Sequence, residues 1–399
     1  MGGTSGGRFQ IGVSEVIYLD NAATSWPKPQ VVIEAMADFL ETAGGNPGRS
    51  GHRLSIEAGR VLYDARELVA EFFHASDPFR VVFTLNATHA LNLAMRGILH
   101  PGDRVVTTGM EHNSVMRPLR QLEREGIGLA VVPCDQTGLV DMEAYRQALS
   151  VTTTMVVTTH ASNVTGTIQP LEQMARLAHE AGALLLLDAA QTAGVLPIDV
   201  EAQGIDLLAF TGHKGLQGPT GTGGLVLGSA ITETMISPLV RGGTGSRSEF
   251  EEQPERLPDR LESGTPNTVG LAGLKAGLEY VQRLTVEAVR ERELAVVHIL
   301  EQGLAAIPGV HLFGPEAAEN RTATLSLRLE GIPVDQVGLR LDEDFAILAR
   351  VGLQCAPAAH RTLGTFPEGT VRLSSGLFTT EAEARATVDA VRTLAGEAA

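Results

Sequence analysis

The chain has 399 residues, of which 43% are hydrophobic, and a formal net charge of −16. That length and apolar content support more than one domain and a large core, and exclude a disordered chain, while the acidic balance argues against a nucleic-acid partner held through phosphates. Two cysteines cannot build a disulfide framework or a Cys-rich zinc site, and no apolar run reaches the ~18 residues of a membrane span or forms a signal-peptide core at the start, so a soluble, cytoplasmic protein is expected.

Residues 1–15 are rich in Gly and Ser and read as a flexible lead-in. From there, helix patterns at 28–43, 54–73, 89–98, 115–125, 141–149 and 170–181 are interleaved with apolar, β-branched runs at 80–84, 104–108, 129–133, 155–159, 183–188, 207–210 and 224–227. Near-continuous apolar strands between helices predict a mostly parallel sheet of seven strands covered on both faces. The last two runs are close enough to pair antiparallel. Beyond the Pro/Glu/Arg-rich stretch 250–260 the pattern changes to a long helix, 269–307, broken near Thr285. Strands at 322–329 and 369–374 and helices at 334–343 and 380–396 follow. The expected organisation is therefore an α/β domain over 16–268, whose first residues could pack on the second unit, and a smaller α+β domain over 269–399.

Glycine-rich stretches invite a nucleotide-binding reading, which fails. GPTGTGG lacks the Gly-Lys-Ser/Thr ending of a phosphate-binding loop, and no strand-to-helix Gly-x-Gly-x-x-Gly is present. None of the eleven histidines forms a His-x-x-x-His pair, so no metal site is expected. What remains is a set of polar residues at the ends of predicted strands. Asp188 closes the run ALLLLD, where a carboxylate either caps a helix or pairs with a cation such as a protonated heterocycle. Asn86, Ala87 and Thr88 stand at a strand-to-helix turn that could cap the helix or meet a phosphate. His112 could be structural or could lie flat on a ring, and Asn163 could hydrogen-bond a ring hydroxyl. Lys214 is a lone lysine within AFTGHKGLQGPTGTGG. These residues converge on the carboxyl ends of parallel strands, where open α/β sheets bind ligands.

The chain resembles the class V aminotransferase superfamily of pyridoxal-phosphate (PLP) fold type I, and within it the cysteine desulfurases and selenocysteine lyases. The resemblance runs from Tyr18 to Thr380, with THASNVTG, LLDAAQ, TGHKGLQGPTG, ESGTPNT and RVGLQCAP as its most specific segments. It implies that Lys214 forms the Schiff base with PLP and that Asp188 holds the pyridinium nitrogen. Gln191 and Asn163 would contact the ring oxygen, His112 would stack on the ring, and Ala87, Thr88, Thr211 and His213 would bind the phosphate. It further implies a homodimer in which Gly264 and Thr265 reach the neighbouring subunit's site.

Cys355 bears on the substrate. It lies in RVGLQCAP, and Arg350 and Arg372 are suited to holding an α-carboxylate. The resemblance implies that Cys355 takes sulfur from L-cysteine as a persulfide, leaving L-alanine, with a sulfur-acceptor protein as a further partner. Electropositive surroundings favour the reactive thiolate. Cys134, at a strand end, reads as packing. One departure stands out: Gln354 occupies the place of the histidine that usually precedes the cysteine, and His360 and Arg361 downstream have no assigned role. The alternatives are a selenocysteine lyase, or a transaminase, epimerase or C–S lyase of the same superfamily that does not need Cys355. A non-catalytic scaffold is a third reading, which Lys214 and Asp188 oppose.

Overall fold

The computed structural model describes residues 16–48 and 51–398; the predicted lead-in lies outside them. Strand β1 (Ile17–Tyr18) precedes helices α1 (Gln30–Thr42) and α2 (Arg53–Phe72). The large unit then runs β2 (Val81–Thr84), α3 (Ala87–Ile98), β3 (Arg104–Thr108), α4 (Asn113–Arg124), β4 (Gly128–Val132), α5 (Met142–Ala148), β5 (Met155–Thr159), α6 (Leu171–Glu180), β6 (Leu184–Asp188), β7 (Leu207–Thr211) and β8 (Gly223–Leu227). All seven expected strands join one sheet, in the order β2-β8-β7-β6-β5-β3-β4. Only β8 runs antiparallel to its neighbours, and it pairs with β7 as the short connection allows. Leu185 and Leu187 of β6 pack with α2, α5, α6 and α7 on one face, while Leu186 packs with α3 and α4 on the other. Burial on both faces is why these strands read as apolar runs rather than as alternating patterns.

The predicted break in the long helix is present. Helix α7 (Thr268–Leu284) stops at Thr285, whose φ of +69° leaves the helical region, and α8 (Val286–Ala305) restarts with the Thr285 side chain accepting from the Ala288 N–H. Helix α7 packs on α1 and α2 and shares the large core, whereas α8 packs on the second unit. That unit holds β9 (Val310–Phe313), β10 (Thr324–Leu329), α9 (Val334–Phe345), β11 (Ile347–Leu348), β12 (Arg350–Gly352), α10 (Pro357–Thr362), β13 (Thr370–Ser374) and α11 (Glu381–Ala398). Its antiparallel sheet has the order β12-β13-β10-β9, backed by α8, α9 and α11. The chain start docks here: β1 pairs parallel with β11, and Leu19 is buried in this unit's core. Three small-unit strands (β9, β11 and β12) and one helix (α10) lie outside the predicted elements.

Candidate active site

The cavity lies where the carboxyl ends of the central strands face the cysteine loop of the smaller unit, and it encloses about 280 Å³. Of the predicted residues, Ala87, Thr88, His112, Asn163, Asp188, Gln191, Thr211, His213, Lys214, Arg350, Cys355 and Arg372 all line it. Gly264 and Thr265 do not. They line a separate groove of about 460 Å³ with Tyr63, His89 and Gly221.

Asp188 ends β6 and is buried. Its Oδ1 accepts from the Ala190 N–H at 3.0 Å, while Oδ2 has only a long contact of 3.5 Å from the Ser114 hydroxyl. Burial raises its pKa, opposed by the Ala190 bond and by Lys214. A carboxylate so short of partners is suited to a cationic N–H. Lys214 follows β7, and its amine makes no ion pair among the described residues. Burial lowers its pKa to about 8, with Asp188 pulling the other way and Arg372 adding to the fall. An amine in that range supplies far more free base near neutral pH than an ordinary lysine.

The glycines around Lys214 answer to backbone packing. A Cβ on Gly215 would meet the Ala193 carbonyl at 2.4 Å, and one on Gly212 would meet Thr222 Oγ1 at 2.1 Å. The lysine segment is thereby seated against the Ala189–Leu196 turn and β8. Its carbonyl groups are held as well: Ser25 donates through its hydroxyl to the Lys214 carbonyl at 2.9 Å, and Lys28 donates to that of His213 at 2.9 Å.

His112 caps α4, its Nδ1 accepting from the Ser114 N–H at 3.0 Å, which leaves the proton on Nε2. Burial, then Lys214 and Arg372, lower its pKa to about 4, so the ring is neutral. The preceding residue, Glu111, is buried, with Oε1 accepting from the Thr108 hydroxyl at 2.7 Å and the Thr159 N–H at 3.0 Å, while Oε2 has no partner among the described residues. Burial pushes its pKa up to about 8. At the other end, α3 begins at Ala87 with Asn86 as its cap, and the leading N–H groups of a helix lack intrahelical partners. His213 adds a buried Nδ1 without a partner among the described residues. A site with a cation-seeking carboxylate at one end, an anion-seeking helix start at the other and a nucleophilic amine between them fits PLP.

Arg350 and Arg372 face each other across the β12–β13 ladder. Like charges directly opposed weaken a sheet, and here both line the cavity. Their situations differ. Arg372 is 2% exposed, donates to the Asn163 carbonyl at 2.9 Å and pairs with Asp20 at 2.5 Å, whereas the Arg350 side chain has no hydrogen-bond partner among the described residues. Arg372 thus ties the chain start and the large unit to the small one, leaving Arg350 the freer guanidinium. Asn163 also spends its Nδ2 on the Gln354 carbonyl at 2.8 Å, and Gln191 spends its Nε2 on the Ala22 carbonyl at 3.1 Å. Sequence reasoning missed Asp20, Ala22, Ser114 and Glu111 as parts of the site. Only the adjacency of Glu111 to His112 could have signalled one of them.

Cys355 is exposed on the same wall, and Cys134 is not. Burial pushes the Cys134 thiol up to about 12, in keeping with a packing role.

Comparison with known proteins gives the family and the fold. The class V aminotransferase family matches residues 17–386. A probable cysteine desulfurase from Methanothermobacter thermautotrophicus is 34% identical over 95% of each chain. Among solved structures, the apo cysteine desulfurase from Thermococcus onnurineus NA1 superposes with a TM-score of 0.90 at 32% identity, covering 96% of this chain and 95% of that one. A cysteine desulfurase from Escherichia coli superposes with a TM-score of 0.85 at 29% identity, covering 96% of each chain. The chain belongs to the class V aminotransferase superfamily of PLP fold type I, within the cysteine desulfurase family.

Proposed function

We propose that this protein removes sulfur from L-cysteine as a persulfide on Cys355 and releases L-alanine. The observation that carries this reading is the exposed thiol on the wall of the cavity that Lys214 also lines, with two arginines beside it. In this reading Asp188 holds the ring nitrogen of PLP, Gln191 and Asn163 its ring oxygen, and Ala87, Thr88, Thr211 and His213 its phosphate, while His112 covers the ring. PLP, when bound, supplies an electron sink for negative charge developing at the substrate α-carbon.

The chain's own residues do the rest. Arg350, with Arg372 beside it, receives the substrate carboxylate. Lys214 takes the α-proton and later returns it. Cys355 attacks the substrate sulfur as a thiolate. The new S–S bond forms as the substrate's Cβ–S bond breaks, and the bonding electrons stay with the carbon fragment. That fragment gains a proton at Cβ and leaves as alanine, so no external oxidant is required. Transfer of the persulfide sulfur to an acceptor protein completes the cycle. Gly264 and Thr265 lie outside this chain's cavity, which supports a homodimer in which they serve the neighbouring site.

The test is alanine release from L-cysteine by the intact chain and by Cys355→Ala. Loss of alanine in the variant, with cofactor still bound at Lys214, is expected. Alanine formation that continues unchanged would transfer the reading to a selenocysteine lyase or another C–S lyase.

A further inference from the structure

The Cys355 wall is built differently from the rest of the cavity. Gln354 and Cys355 are consecutive residues in the left-handed region, at φ +42° and +58°. Non-glycine residues keep this conformation only where their surroundings impose it. Here they do so through a buried chain of side chains. Gln354, 4% exposed, donates from Nε2 to the Thr370 carbonyl at 2.9 Å. A carbonyl only accepts, so this bond fixes which way the amide faces and turns Oε1 towards His360 Nε2 at 2.7 Å. His360 must then donate from Nε2, and its Nδ1 accepts from the Thr365 hydroxyl at 2.7 Å. Burial, then Arg328, lower the His360 pKa to about 4, so the ring stays neutral near neutral pH. The backbone is pinned as well: the Gln354 carbonyl accepts from Asn163 Nδ2 at 2.8 Å, and the Cys355 carbonyl from the Asn113 N–H at 2.9 Å.

We propose that His360 is a positioning residue for Cys355: through Gln354, and backed by Thr365, it clamps the cysteine loop in the conformation that presents the thiol to the cavity. Both ends of the Gln354 amide are committed to this clamp, so Gln354 moves no proton at sulfur. The histidine function that the loop lacks at position 354 is replaced by geometry imposed from position 360. The proposal rests on the Cys355 reading above.

The test compares the cofactor-loaded intact chain with His360→Ala, Thr365→Val and Thr365→Ser. Two rates are measured: alanine release from L-cysteine, and alkylation of Cys355 by iodoacetamide, followed on its peptide. Cys134, half-buried and with its thiol pKa pushed up to about 12, reports on a separate peptide. A loosened loop still meets a reagent from solution but loses its alignment with bound substrate. For His360→Ala, kcat is expected to fall about tenfold or more, with KM within about twofold and alkylation held or raised. Thr365→Val should show a smaller loss of the same kind, and Thr365→Ser should restore the parent rate. Should His360→Ala fail to fold or to hold cofactor, Thr365→Val decides. A kcat within about twofold of the parent in both variants would overturn the proposal, as would alkylation that falls in step with kcat. Full alanine release by Cys355→Ala would instead remove the underlying reading, so the two failures are distinct.

Discussion

The floor of the cavity and its cysteine wall reach their shapes by opposite means. Asp188 and Lys214 sit at the ends of β6 and β7, central strands buried on both faces, so the sheet's packing holds them in place. Cys355 sits after a three-residue edge strand, in a left-handed turn that side-chain hydrogen bonds hold against its own preference. A floor made by packing resists local change, whereas a wall made by a few polar contacts can be altered by one substitution. Substitutions in the floor should therefore abolish every reaction together. Those in the wall should separate one step from another.

Lys214→Ala should give the largest effect: no covalent attachment of cofactor and a loss of turnover of at least about a thousandfold. Mass measurement after borohydride reduction checks the attachment, and a cofactor adduct elsewhere would break the assignment. Next in size is Arg350→Ala. Losing a charged hydrogen-bond donor to the carboxylate, worth about 1.5–3 kcal/mol, should raise KM for L-cysteine by about 10–100-fold and leave cofactor attachment intact. An unchanged KM would pass the carboxylate to Arg372, despite its engagement with Asp20 and Asn163.

The same contrast explains what the sequence disclosed. Strands buried on both faces announce themselves as apolar runs such as ALLLLD, and all seven expected strands are in the sheet. Strand β9 is half-exposed and four residues long, β12 has three residues and α10 six, too short for any period to register. The polar residues at strand ends were legible because they interrupt apolar runs. The Asp20–Arg372 pair joins residues 352 apart in sequence, and the Gln354–His360 bond depends on an amide orientation set by Thr370. Neither leaves a local trace. The glycines beside Lys214 are a subtler case. At Gly212 and Gly215 the close approach is to Thr222 and Ala193, contacts that no local pattern announces.

The smallest expected effect belongs to the floor and is one of stability. Glu111 has an ordinary pKa of 4.5, and burial pushes it up to about 8 in the folded chain, with the Thr108 and Thr159 bonds opposing. The folded protein therefore keeps a proton at Glu111 over a range in which the unfolded chain releases it. The folded state binds more protons between those two values, so this group's contribution to stability falls as pH rises from about 4.5 to about 8 and is level outside that window. Glu111→Gln keeps an oxygen for the Thr108 and Thr159 donors and removes the titration. The variant's stability relative to the intact chain, from denaturant midpoints at fixed cofactor, should rise with pH across this window and stay level on either side of it. Asp188 also has a raised pKa, but it is present in both proteins and largely cancels from the difference. A flat difference would mean that Glu111 is ionised throughout despite its burial.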